Sequence, residues 1–173
     1  AWIIAYYSVG NDYVIPSFTD TAAAFWQCLC SAEFWKAFGF TLLRTFEAFL
    51  ISFLLAALLA CVSALSKSAA ALIKPFMVFL RTVPTLAVIL LLLIWTNAKV
   101  APVIVTVLVL FPMIYSQMTA ACDGVSAELI QMAKLYGVSK KERLFKIYLP
   151  QISPDIFSQV GANVSLGLKI MIS

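Results

Sequence analysis

The chain has 173 residues, 63% of them hydrophobic and only 12% charged, with a mean hydropathy of +0.99. Soluble domains hold about 45–50% apolar residues. A chain this short cannot bury so large an excess, so an ordinary soluble domain is excluded and the bilayer must be part of its solvent. The net charge of +4 resides in particular loops, where it reports orientation rather than nucleic-acid binding.

Residues 1–9 (AWIIAYYSV) read as a third to a half of a membrane span, closed by the turn-forming Gly10-Asn11-Asp12. They lack the charged n-region and small-residue cleavage site of a signal peptide. Residues 1–36 are therefore expected to hold a partial first helix and an external loop, with Trp26 and Trp35 at the membrane interface. Cys28 and Cys30 form C-x-C, but the chain has no histidine and its other two cysteines, Cys61 and Cys122, lie in or beside apolar runs, so no metal site is expected.

Uncharged runs at 48–65, 82–98 and 100–122 have 18, 17 and 23 residues. About 20 apolar residues cross a bilayer as helix, the form that satisfies the backbone in lipid. The expected spans are 37–65, 82–98, 100–122 and 156–173, the last incomplete, which makes an all-α polytopic membrane protein with two cut terminal helices. Pro84 suits a first helical turn, and Pro112 should kink the third run and release a carbonyl. Loops 66–81 and 123–155 hold eight Lys and Arg residues against two, Lys36 and Lys99, on the other side, which places both loops in the cytoplasm.

Three ionisable residues stand at membrane depth. Arg44 and Glu47, at i, i+3, share a helix face and can neutralise one another near the outer interface, or else line a pathway. Lys169 lies about 20 Å along its helix from Asp155, and either snorkels outward or faces a polar interior.

The cytoplasmic stretch 123–155 has internal order. Leu129, Met132, Ala133 and Tyr136 follow the i, i+3, i+4, i+7 stripe of an amphipathic helix. Gly137 offers a turn or C-cap. Ser139 with Glu142 three residues on forms a capping box for a second short helix, on which Leu144, Ile147 and Tyr148 share a face, and Pro150 should stop it. The apolar stripe could lie on anionic lipid, belong to an ordinary solvated loop, or dock in the groove of a partner.

The spacing of this stretch resembles the cytoplasmic signature of ABC importer permeases: Glu-Ala-Ala, three residues, Gly, nine residues, Ile-x-Leu-Pro. Here it falls on Gln131, Met132 and Ala133, then Gly137, then Ile147, Leu149 and Pro150. Gln131 takes the place of the acidic residue, while Glu128 lies one turn earlier. VIPSFTD (14–20), TLLRTFEAF (41–49), FLRTVPTLAVILLLLIW (79–95), LFPMIYSQMTA (110–120) and GLK (167–169) are similar, in order, to segments of the nitrate, sulfonate, taurine and thiamine-precursor branch of these permeases.

The resemblance implies a type I ABC importer permease core over 37–173, multi-pass in a bacterial inner membrane, with 123–155 as the loop that couples it to ATPase subunits. It implies a pathway shared with a second permease copy, most simply as a homodimer, and an extracytoplasmic solute-binding protein. Contact with the ATPase would fall to Glu128, Gln131, Met132, Ala133, Gly137, Ile147, Leu149 and Pro150. ATP and Mg would be bound by the partner subunit, because this chain has no G-x-x-x-x-G-K-[ST] loop and holds no cofactor of its own. An intramembrane enzyme would need a nucleophile–base pair or metal ligands at depth, and without histidine only Arg44, Glu47 and Lys169 are at hand. A channel subunit remains the other reading; it would lack the Gly and Ile-x-Leu-Pro arrangement.

Overall fold

A computed structural model describes residue 6 and residues 16–82, 85–97 and 100–172. The expected half-span 1–9 (except residue 6), the turn at 10–12, Pro84 and Lys99 lie outside the described residues. Every regular element among the described residues is helical: α1 (Phe18–Cys30), α2 (Ala32–Leu65), α3 (Lys67–Thr82), α4 (Thr85–Trp95), α5 (Ala101–Asp123), α6 (Ala127–Leu135), α7 (Lys140–Arg143), a π-helical segment (Leu144–Tyr148) and α8 (Leu149–Ile172). The chain divides into two compact units, Ala1–Thr41 and Leu42–Ser173.

In the first unit Ser17 caps α1, its hydroxyl oxygen accepting from the Asp20 amide at 3.1 Å. Phe25 and Trp26 are exposed on α1. The Trp35 indole donates to the Leu29 carbonyl at 2.8 Å, and its ring meets Phe34 and Phe38 edge-on at 5.5 and 6.0 Å.

The second unit is organised around α5, against which α3, α4 and α8 pack. From α2 the small side chains Ala48, Ser52, Ala56 and Ala60 recur every fourth residue, and all four are buried. That spacing is one helix face, and small residues there allow the close approach that drives packing of helices in lipid. Leu110, Ile114, Tyr115 and Met118 of α5 and Met77 of α3 complete the core.

Polar groups inside the unit are paired. The hydroxyls of Ser63 and Tyr115 lie 2.8 Å apart, tying α2 to α5. Gln117 and Asn163 exchange two hydrogen bonds between α5 and α8, at 2.8 and 3.2 Å. Among the described residues no buried side-chain nitrogen or oxygen lacks a partner, as the cost of an unpaired polar group in a low dielectric requires. Of the described glycines Gly167 is the most closely packed: a β-carbon there would stand 3.1 Å from Leu110 and 3.4 Å from Thr45.

Two expectations change. Residues 66–81, expected as a loop, form the 16-residue helix α3 with Pro75 inside it and Met77 buried. Lys67, Lys74 and Arg81 are spaced by seven, two helical turns, so they make one polar stripe instead of a solvated loop. Lys74 pairs with Asp123 of α5 at 3.7 Å, and Arg81 donates to the Ser116 hydroxyl at 3.4 Å. Of the span expected over 82–98, α4 supplies the described 11 residues Thr85–Trp95, while residues 83, 84 and 98 lie outside the described residues. Among the described residues, the helices long and apolar enough to cross, by length and composition, are α2 and α5.

The second change concerns Pro150, which does not stop the helix. Helical backbone runs from Lys140 through Ile172, widening to a π turn at Leu144–Tyr148 where the Leu149 amide bonds to the Leu144 carbonyl five residues back. Proline lacks an amide hydrogen and its ring crowds the carbonyl four residues earlier. A wider turn immediately before it makes room. Pro112 likewise stays inside an unbroken α5.

Candidate functional site: the cytoplasmic helix–glycine–helix loop

The loop between α5 and α8 is built from local signals. Ser126 caps α6, accepting from the Leu129 amide at 3.4 Å, with Glu128 in the first turn. The helix ends in a Schellman arrangement: the Val138 amide donates to the Ala133 carbonyl at 2.9 Å and the Gly137 amide to Lys134 at 3.1 Å. Gly137 has φ +69°, the left-handed conformation this cap needs.

Ser139 then starts α7 with a complete capping box. Its hydroxyl accepts from the Glu142 amide at 3.2 Å, while the Glu142 carboxylate accepts from the Ser139 amide at 3.2 Å and hydroxyl at 2.9 Å. These bonds, with Lys146 at 3.4 Å, hold the Glu142 carboxyl below the usual carboxylate range. The group is ionised in the folded loop at neutral pH. Its contribution is therefore full above the ordinary carboxylate pKa and is lost as pH falls through the lowered one.

Of the α6 residues only Ala133 is buried. Leu129, Met132, Leu135 and Tyr136 are exposed, Leu135 by 86% and Tyr136 by 81%, and Phe145 of the π segment is exposed as well. Glu128 and Gln131 share the open surface, with Leu149 and Pro150 exposed and Ile147 half-buried. The structure thus collects Glu128, Gln131, Met132, Ala133 and Gly137 on one short helix and its cap, and Ile147, Leu149 and Pro150 on the next helical turns. Leu135 and Phe145 were not singled out from the sequence. Leu135 falls beside the i, i+3, i+4 stripe, so periodicity gave no sign of it.

Arg44, Glu47 and Lys169 lie elsewhere. Arg44 is half-buried and Glu47 exposed on α2, and they do not pair: the ion pairs among the described residues are Lys74–Asp123 and Lys146–Glu142. Lys169 is exposed on α8, two residues beyond Gly167, which meets Thr45. That contact brings Arg44 and Lys169 to one level of the helices, about 30 Å along α8 from Leu149.

This geometry, a helical bundle around one central helix with a capped helix–glycine–helix loop, can be set beside known proteins. Residues 48–172 match the family described as binding-protein-dependent transport system inner membrane component. The chain belongs to this family. Its fold is the all-helical, polytopic ABC permease fold, and its place is the membrane. The putative aliphatic sulfonates transport permease protein SsuC of Escherichia coli is 31% identical over 93% of this chain, and that of Bacillus subtilis 25% over 96%. The glycine betaine/proline betaine transport system permease protein ProW of Escherichia coli is 27% identical over 62%. These relatives are transport permeases, not enzymes. The chain spans 60% and 62% of the length of the two sulfonate permeases.

Proposed function

We propose that this chain forms the membrane core of the permease subunit of an ATP-driven importer, and that α6 with its glycine cap is where ATPase subunits grip it. The observation that carries the proposal is the exposed apolar surface of Leu129, Met132, Leu135 and Tyr136 on a short helix and its cap. Water is a poor solvent for such a surface, and a partner groove would bury it at a gain of about 1.5–3 kcal/mol for each large side chain. Membership of a family of transport components supports the rest. The chain passes the membrane several times with loop 123–155 in the cytoplasm, pairs with a second permease copy, and receives solute from an extracytoplasmic binding protein. ATP and Mg belong to the ATPase. The names of two relatives make an aliphatic sulfonate the first solute to test, with taurine, nitrate and thiamine-precursor pyrimidines after it.

The full-length permease carrying Leu135→Asp and Tyr136→Asp should lose copurifying ATPase by more than about 100-fold in affinity and lose uptake of labelled sulfonate, while still inserting in the membrane. Retention of both by the double variant would show that α6 is not the grip. A wild-type permease that copurifies no ATPase would point instead to a channel or an intramembrane enzyme.

A further inference from the structure

We propose that the cavity between the cytoplasmic end of α2 and the loop helices is a binding site for a phosphate-bearing anion. The cavity has a volume of about 340 Å³ and is lined by Lys67, Lys134, Lys140, Arg143, Tyr148 and Ile130, with the end of α2 beneath. That size is at the lower end of the range for small-molecule sites. Four cations from three helices, α3, α6 and α7, meet around it. Neither ion pair among the described residues uses any of the four, since Asp123 is taken by Lys74 and Glu142 by Lys146.

Like charges gathered on one cavity repel one another, and no carboxylate lines this one in answer. A multiply charged anion with several acceptor oxygens relieves that repulsion, and phosphate suits both ammonium and guanidinium donors. Tyr148 adds a neutral donor: burial, chiefly, lifts its phenol above the ordinary value, so its proton stays in place. A second cavity of about 490 Å³ adjoins the first, shares Lys67 and Tyr148, and extends along α3 past Ala70 and Ala71. Basic pockets at the cytoplasmic ends of spanning helices suit lipid phosphates. The shared chemistry is thus a phosphate group, from an anionic phospholipid or from solution.

The inference rests on the membrane reading of the chain and not on ATPase docking, so either can fail alone. The test uses the full-length permease in neutral detergent, with phosphatidylglycerol and phosphatidylcholine titrated by native mass spectrometry and inorganic phosphate by calorimetry. Lys134→Gln with Arg143→Gln should weaken phosphatidylglycerol binding by about 30-fold. Lys67→Gln with Lys140→Gln, both at exposed positions that leave the fold intact, should do the same. Lys141→Gln with Lys146→Gln removes equal charge from the same loop outside the cavity, and should change binding by less than about 3-fold. Loss confined to phosphatidylglycerol assigns the site to a lipid headgroup. Binding of inorganic phosphate, lost in the cavity variants, assigns it to a soluble ligand. Equal losses in all three pairs, or no preference for phosphatidylglycerol together with no phosphate binding, would overturn the proposal.

Discussion

A β-carbon at position 137 would meet no neighbour within 4 Å, yet the residue has φ +69°. The demand for glycine is therefore conformational and not steric. An alanine there costs about 1–2 kcal/mol in the left-handed region, which should open the two cap hydrogen bonds. Hydrogen exchange at the amides of residues 137 and 138 should then run roughly 5- to 30-fold faster in Gly137→Ala than in the wild type. Unchanged exchange would mean that the cap does not depend on this residue. Gly137, Ser139 and Glu142 were legible in the sequence because each acts on backbone groups within five residues of itself. The exposure of Leu135 and Phe145 was not, since it depends on what fails to pack against them.

Among elements, the α5–α8 contact depends on an amide pair that no spacing rule reveals, because Gln117 and Asn163 are 46 positions apart. Asn163→Leu would leave the Gln117 amide unpaired, at a cost of about 1–3 kcal/mol. Gln117→Leu combined with Asn163→Leu should recover part of that loss, giving a coupling of about 1 kcal/mol in unfolding measurements of the detergent-solubilised permease. Strict additivity would show that the pair contributes nothing beyond its separate residues. Helix α3 went unread for a related reason. Lys74, Pro75 and Arg81 look like loop residues one at a time, and their helical meaning appears only in the spacing of seven and in the burial of Met77. Conversely, the long apolar runs of α2 and α5 were legible directly, since hydropathy over some 20 residues outweighs any single side chain.

At the scale of the whole molecule, the proposed topology rests on the eight-to-two distribution of basic residues, which predicts a cytoplasmic loop 123–155 and external Cys28 and Cys30. Cys28 and Cys30 are exposed on α1, while Cys61 and Cys122 are half-buried. An impermeant maleimide added to intact spheroplasts should label Cys28 and Cys30. A cysteine placed at position 140 in a background lacking Cys28 and Cys30 should react only after the membrane is opened. The reverse pattern would turn the orientation over. The uninterrupted helical backbone from Lys140 to Ile172 adds a mechanical consequence. The 24 residues of α8, with Pro154 among them, rise about 36 Å along the helix, and the π turn lies at its foot, where the proposed partner would press. On the proposed docking, a swing of about 10° there would carry the far end of α8 through about 6 Å, about the rise of one helical turn, beside Lys169.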